Sequence, residues 1–227
     1  MKDTKQVQVD VGGKTLVLET GLLARQAGGA VTIRQGDTVL FSAATMSSSV
    51  REGIDYFPLQ VEYREKFYAS GKFPGGYFKR ESRPSEKETL TARFTDRPLR
   101  PLFPSWLRND VQIIAMLLSA DGQNESDVLS ITAASAALTI SDIPFNGPVA
   151  GVRIGRVGGR WVVNPTLAEM EQSDVDLIYA GSRDLPIMIE GSANEISEEE
   201  MLAAMREAHT HVVRLTDAQL ELRRILG

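Results

Sequence analysis

The chain has 227 residues, 42% hydrophobic and 24% charged, which is typical of a globular protein that can bury a substantial core. It contains no cysteine, which excludes disulfide bonds, thiolate catalysis and cysteine metal sites. Its net charge of −5 argues against a general nucleic-acid binder. The sequence has neither a signal-peptide-like start nor an apolar run approaching about 20 residues, so we expect a cytoplasmic protein without a membrane partner.

Glycine-containing turns divide the first part of the chain into predicted strands. Two hairpins and two single strands are expected, at residues 7–21, 30–45, 57–65 and 110–119. The first hairpin turns at Gly12-Gly13, and the second turns near residues 35–37. The last strand is almost continuously apolar, which predicts an interior position in its sheet.

The segment between the last two strands combines glycines, aromatic rings and cations. Gly75 and Gly76 permit close turns. The candidate RNA-binding residues that follow are Tyr77, Phe78, Lys79, Arg80 and Arg83. Rings that stack on bases beside cations that contact phosphates are typical of single-stranded nucleic-acid binding. The alternative is a surface loop whose rings return to the core and whose charges are solvated.

A capping box that opens at Ser85 predicts the start of a helix. We expect this helix to end at about Arg97, because Pro98 cannot donate a helical hydrogen bond. Leu90 and Phe94 are four residues apart and are expected to form its apolar stripe.

The same helix carries a row of arginines. Arg93, Arg97 and Arg100 are candidates for phosphate contact, or else they pair internally, for instance with Asp96. Residues 72–108 hold nine basic and four acidic side chains, a local charge of +5, whereas the rest of the chain carries −10. This distribution can attract a polyanion to one face of an acidic protein.

The second half of the chain alternates helices and strands. Residues 126–141 are rich in alanine and serine, which predicts a helix packed closely on several sides. A hairpin at 149–165, strands at 175–182 and 186–194, and a long helix from Ser197 to about Leu226 are expected to follow. The expected buried face of that helix is Met201, Met205, Ala208, Val212, Leu215 and Leu222. No linker interrupts the pattern, so we predict one α+β domain.

Several long motifs resemble the polynucleotide phosphorylase family. They are GIDYFPLQVEYREKFYASGKFPGG (53–76), the following YFKRESRPSE (77–86), TDRPLRPLFP (95–104), ASAALTISDIPFNGPVAGVRIG (134–155) and VVNPT (162–166). The resemblance implies an RNase PH-like βαβα core of the ribosomal protein S5 domain 2-like class, with mixed sheets packed against helices. It also implies that residues 1–227 are the first of two cores, with the last helix starting at about residue 197. The second core and carboxy-terminal RNA-binding modules are then absent from this chain.

The resemblance also implies a function for the intact protein. That function is 3′-to-5′ phosphorolytic degradation of mRNA to nucleoside diphosphates by a homotrimeric ring. Tyr77, Phe78, Lys79 and Arg80 match the residues that narrow the RNA entrance in this family. Expected partners are single-stranded RNA, inorganic phosphate and the second core, which is expected to hold the catalytic Mg²⁺.

This chain departs from the catalytic pattern of its relatives. Glu125 stands where active domains carry the arginine that binds phosphate. Val162 and Ala168 occupy the positions of the metal-binding carboxylates, and a one-residue gap that brings in Glu169 restores only one. We therefore expect no catalytic residue, no metal and no cofactor in this domain.

Other candidate groups have ordinary interpretations. Asp174 and Asp176 could share a face of a strand, but they are better explained as strand-end acids. His209 and His211 diverge by about 200° on a helix and cannot share a metal. We interpret them as surface or core-edge residues.

Two further functional hypotheses remain. The chain could be a stand-alone, non-catalytic RNA-binding or ring-forming subunit of an exosome-like complex, which the length of the native gene would reveal. It could instead transfer nucleotidyl or pyrophosphoryl groups to guanine nucleotides, although no nucleotide motif supports this.

Overall fold

The computed structural model describes residues 4–77, 81 and 83–227, which form two β-sheets and packed helices. The first sheet contains β1 (Lys5–Val11), β2 (Lys14–Thr20), β3 (Gly29–Gln35), β4 (Thr38–Met46), β5 (Leu59–Glu65) and β6 (Val111–Ser119). The second contains β7 (Ala150–Val157), β8 (Arg160–Val163), β9 (Val175–Gly181) and β10 (Pro186–Ala193). The helices are α1 (Glu86–Leu99), α2 (Asp127–Thr139), α3 (Leu167–Met170) and α4 (Glu198–Leu226), with short 3-10 helices at Phe67–Ser70 and Arg100–Leu102.

The strand orders confirm a mixed α+β architecture. The first sheet has the order β1-β2-β3-β4-β6-β5, with only β5 and β6 parallel. The second has the order β10-β9-β7-β8 and is antiparallel throughout. The predicted interior position of β6 is confirmed. The predicted first hairpin also forms, and its turn residues Gly12 and Gly13 have φ of 61° and 79°, which favours glycine.

Helix α2 lies at the centre of the molecule, and all of its residues are buried. Its small side chains allow close packing, as predicted from the sequence, and its hydroxyl groups satisfy neighbouring backbone amides. Ser135 Oγ accepts a hydrogen bond from the Val149 N–H at 2.9 Å, and Thr132 Oγ1 accepts one from the Gly151 N–H at 3.2 Å. These bonds tie α2 to the start of the second sheet.

The predicted end of α1 at Arg97 is wrong by two residues. The helix continues to Leu99, with Pro98 inside its last turn. Pro98 removes one helical hydrogen bond. Pro98 and Leu99 are both buried, and this burial offsets the missing bond.

The predicted apolar stripe of α1 is also wrong. Leu90 is 40% exposed and Phe94 is only half-buried, whereas Thr91 and Thr95 are buried. Thr95 Oγ1 donates to the Thr91 carbonyl at 3.0 Å and is hydrogen-bonded to Ser130 Oγ of α2. The contact between α1 and α2 is therefore made partly by hydroxyl groups, which an apolar pattern does not reveal.

The long helix α4 starts with the predicted capping box of Ser197 and Glu200. Of its predicted buried face, Ala208, Val212, Leu215 and Leu222 are buried, whereas Met201 and Met205 are half-buried. None of the helices in the described part of the chain combines the length and apolar character needed to cross a membrane.

The close approach of β3 to α2 leads to a stability prediction. A Cβ added to Gly29 would overlap the carbonyl oxygen of Ala137 in the α2 backbone. We expect Gly29→Ala to lower the free energy of unfolding by about 2 kcal/mol or more, because the helix has to shift. Urea unfolding measures this change. Gly75→Ala is the control, since an added Cβ there meets open space. Equal stability of the two variants would contradict the prediction.

Candidate nucleic-acid interface

The segment between β5 and α1 exposes Tyr77, one of the two candidate aromatic residues, and also Phe73. Tyr77 is 96% exposed and Phe73 is 92% exposed. Arg83 is exposed, and it makes no hydrogen bond or ion pair with another described residue. Phe78, Lys79 and Arg80 lie outside the described residues, so their predicted RNA contacts stay predictions.

Two carboxylates fasten this segment to the folded core. Glu81 accepts hydrogen bonds from Lys66 Nζ at 2.6 Å and from the Phe67 N–H at 2.7 Å. The Lys66 bond is the main reason why the pKa of Glu81 is lowered. Glu88 closes the predicted capping box by accepting from the Ser85 N–H at 2.6 Å, and it also accepts from the Glu65 N–H at 2.9 Å. Burial raises the pKa of Glu88, but these bonds outweigh it and lower the pKa.

The three candidate arginines of α1 lie in different surroundings. Arg93 is exposed and makes no ion pair with a described residue, whereas Arg97 pairs with Glu190 of β10. Arg100 donates from Nε to Asp96 at 2.7 Å, and its guanidinium also contacts backbone carbonyls near β5. The bond to Asp96 raises the pKa of Arg100. Internal pairing therefore occurs for Arg97 and Arg100, and RNA contact by the three arginines stays a prediction.

The position expected to bind phosphate carries an internal ion pair. Lys87 Nζ lies 3.0 Å from Glu125 and 3.2 Å from Glu65. Burial lowers the pKa of Lys87, but the two carboxylates outweigh it and raise the pKa. The neighbouring Asp127 is buried and pairs with Arg153 at 3.0 Å. Burial raises the pKa of Asp127 against the opposing effect of that guanidinium. Both cations of this arrangement are already paired with carboxylates, so neither Lys87 nor Arg153 is available for phosphate.

The positions that the resemblance assigns to metal-binding carboxylates in active relatives hold other side chains here. Val162 is half-buried in β8, and Ala168 is exposed in α3. Glu169 forms a capping box with Thr166 and lies 3.4 Å from Lys14 Nζ. In the ranges 4–77 and 83–227 and at position 81, no group of three or more histidine, cysteine or acidic residues could hold a metal ion.

The remaining acidic and histidine candidates have structural partners. Asp174 pairs with Arg156 at 2.6 Å and Asp176 with Arg153 at 3.0 Å, so neither strand acid is free.

The two histidines lie apart on α4 and make separate contacts. His209 bonds Tyr179 Oη at 2.9 Å and the Arg183 carbonyl at 3.1 Å. His211 is buried and bonds Glu207 at 3.2 Å.

Sequence reasoning missed a cleft at the base of the exposed segment. This Phe67 cleft has a volume of about 420 Å³ and is lined by Arg64, Glu65, Lys66, Phe67, Glu81, Arg83, Ser85 and Glu88. The sequence signal was the run REKFY at residues 64–68, which repeats the mixture of cations and rings seen at 77–83. The first residues of this run lie at the end of the strand predicted at 57–65, so the run was read as part of a strand and not as part of a cleft.

Comparisons with known proteins agree with this architecture. Residues 12–144 match the family model described as 3′ exoribonuclease family, domain 1, and residues 147–211 match the model described as domain 2. The chain is 54% identical over 217 residues to the polyribonucleotide nucleotidyltransferase of Geotalea uraniireducens, covering 96% of this chain and 31% of the relative. It is 52% identical over 222 residues to that of Geobacter sulfurreducens, covering 98% and 32%.

The chain therefore spans about a third of the length of these curated relatives. Among solved structures, the crystal structure of rice (Oryza sativa) Rrp46 superposes with a TM-score of 0.70 at 16% identity. The match covers 99% of this chain and 95% of that chain. At this identity the likeness shows the fold, and it confirms the predicted RNase PH-like α+β class.

The loop before Glu125 leads to a pH-dependent prediction. Burial raises the pKa of Asp121, but hydrogen bonds from Asn124 and Gln123 outweigh it and lower the pKa to about 2. A lowered pKa in the folded state contributes stability above the ordinary pKa of 3.8, and this contribution disappears as the pH falls toward about 2. We expect Asp121→Asn to lower the free energy of unfolding near neutral pH by roughly 1 kcal/mol, after allowance for solvent screening.

Urea unfolding of the wild type and the variant at several pH values tests this expectation. The difference in stability should narrow as the pH falls below about 4. Asp37→Asn is the matched control, because Asp37 is exposed and has no hydrogen-bond partner among the described residues. A difference between Asp121→Asn and the wild type that does not change with pH would rule out the ionised carboxylate as its cause.

Proposed function

The chain belongs to the 3′ exoribonuclease family, and from this premise we propose that it is the first core domain of a polyribonucleotide nucleotidyltransferase. In the intact protein it builds the ring and binds single-stranded RNA, which the enzyme shortens from the 3′ end to nucleoside diphosphates. The observation that carries this proposal is the exposure of Tyr77 and Arg83 beside the points where Glu81 and Glu88 attach the chain to the core. The coverage of only 31% of a relative supports further domains in the intact protein.

We propose that the second core, and not this domain, carries the catalytic site. Phosphorolysis requires a phosphate held by cations and a metal held by carboxylates. In this chain the phosphate position holds the Lys87–Glu125 pair, and Val162 and Ala168 offer no oxygen ligands from their side chains. These residues do not fit a magnesium site. We assign Mg²⁺ and inorganic phosphate to the second core of the intact cytoplasmic enzyme.

An apolar surface supports association with that second core. On the face of the first sheet opposite α2, Met116 lies beside Phe41 and Ile114 lies beside Ala43 across the β4–β6 pair. Ile114, Met116 and Ala43 are only half-buried. A sheet face with such residues is suited to bury apolar area against another domain. Within the proposed homotrimer, this face is our candidate for the contact between the two cores.

The absence of catalytic groups leads to a direct prediction for the isolated chain. With poly(A), phosphate and Mg²⁺, we expect no phosphorolysis, because Glu125, Val162 and Ala168 replace the groups that the reaction needs. Release of nucleoside diphosphate is the measurement, and an intact relative is the positive control. Processive release by a clean preparation of this chain would contradict the prediction.

Stacking and phosphate contacts in the exposed segment should be separable. Replacing Lys79 and Arg80 with alanine should reduce the slope of log affinity against log salt by roughly 0.7 for each phosphate that the variant no longer neutralises. Phe78→Ala should instead weaken RNA binding by about 1–3 kcal/mol with little change in slope. RNA titrations at several salt concentrations measure both effects, and Arg206→Ala, a change at an exposed cation of α4, is the control.

Two other results of these RNA titrations would contradict the proposed role of residues 77–83. If neither change affects affinity, the segment is structural, and Arg93, Arg97 and Arg100 become the better candidates. If Phe78→Ala lowers thermal stability but leaves binding unchanged, that ring belongs to the core.

A further inference from the structure

The Phe67 cleft contains an aromatic ring that the core does not use. Phe67 opens the short 3-10 helix after β5, is 43% exposed and lines the cleft. Its backbone is fixed on both sides. The N–H donates to Glu81 at 2.7 Å, and the carbonyl accepts from the Lys72 N–H at 3.0 Å and from Ser70 Oγ at 3.1 Å. A ring on a fixed backbone loses little freedom when a ligand stacks on it.

The acidic residues of the cleft are already engaged. Glu81 and Glu88 accept the hydrogen bonds that anchor the segment. Glu65 accepts from Tyr63 Oη at 2.9 Å and pairs with Lys87 at 3.2 Å. All three carboxylates are therefore directed toward internal donors.

The arginines of the cleft are not engaged in this way. Neither Arg64 nor Arg83 makes a hydrogen bond or a close ion pair with another described residue, although the charge of Arg64 is near enough to help lower the pKa of Glu81 and of Glu88. Each guanidinium keeps its donors for an external anion, and phosphate is a geometrically matched partner. The cleft thus combines a partly exposed ring with two guanidiniums whose hydrogen-bond donors are not used by described residues.

We infer that the Phe67 cleft is a nucleotide subsite, in which a base of single-stranded RNA stacks on Phe67 and the adjacent phosphates contact Arg64 and Arg83. The volume of about 420 Å³ lies within the range of small-ligand pockets and suits one nucleotide. This inference rests on the proposed RNA-binding function and extends the interface to Phe67 and Arg64. A free nucleotide also carries a base and a phosphate, so the experiment has to distinguish binding of single-stranded RNA from binding of a free nucleotide.

The test uses the 227-residue chain and a short oligoadenylate carrying an adenine analogue whose fluorescence is quenched by stacking. We expect Phe67→Ala to weaken binding about five- to a hundredfold and to reduce the quenching, with an unchanged salt slope. Phe67→Trp should retain both affinity and quenching. Arg64→Gln should lower the salt slope by roughly 0.7.

Matched controls lie outside the cleft. Trp106→Ala removes another exposed ring, and Arg206→Gln removes another exposed cation. Neither control should change affinity or quenching. Competition with AMP and with inorganic phosphate shows which ligand the cleft prefers, because a subsite for RNA binds the oligonucleotide more tightly than either competitor.

Each outcome supports or overturns a specific statement. If the wild-type chain does not bind the oligonucleotide, both the proposed function and the subsite are wrong. If the wild type binds and Phe67→Ala binds equally well, only the subsite is wrong. The subsite is also wrong if Phe67→Ala lowers the melting temperature while the folded variant keeps its affinity. AMP binding as tight as oligonucleotide binding would assign the cleft to free nucleotides instead.

Discussion

The burial of α2 on every side is the constraint on which the rest of the structure depends. A helix in this position can carry only small side chains where other backbones approach, and its polar groups must find partners inside the core. The hydroxyl groups of α2 meet this second requirement by bonding to the second sheet and to α1. The bond between Thr95 and Ser130 also ties α1 to the central helix. The base of the exposed segment is therefore positioned from the middle of the protein.

Around the candidate interface, the acidic side chains have internal partners, whereas some of the arginines do not. Acidic side chains there act as local structural groups, because they accept backbone amides or pair with lysine. Arg83 and Arg93, in contrast, are exposed and make no hydrogen bond or ion pair with a described residue. An acidic protein can present a cationic surface in this way, because the position of uncompensated charge matters more than its sum. In the neighbouring cleft three cations and three carboxylates balance formally, but the carboxylates accept internal hydrogen bonds or pair with Lys87, whereas the guanidiniums of Arg64 and Arg83 make no hydrogen bond to a described residue.

Much of this fold was predictable from short-range signals. Glycines marked the hairpin turns, and the serine-glutamate capping boxes marked the starts of α1 and α4. The errors occurred where long-range contacts decided the outcome. The buried row of α1 runs through Thr91 and Thr95, because its partner surface offers hydroxyl groups.

The candidate site was predictable only in part for the same reason. The rings and cations of residues 77–83 were visible as a composition. The partner of Arg97, in contrast, is Glu190, 93 residues away, and no local pattern indicates that pair. The exposure of Phe67 was hidden as well, because the same residue type in a strand would point into the core. Exposure depends on the path of the chain after β5, which tertiary contacts determine.

The hydrogen bonds of Lys72 and Glu81 to Phe67 affect which changes of sequence the domain can tolerate. Lys72 donates its N–H to the Phe67 carbonyl and Glu81 accepts from the Phe67 N–H, so Lys72 and Glu81 are both held close to the same residue. Closing a flexible loop between such points costs only about 0.6 kcal/mol more for each doubling of its length. We therefore expect changes of chain length between Lys72 and Glu81 to have little effect on the core. Evolution can adjust the length and composition of the chain between Lys72 and Glu81 independently of the domain that carries it.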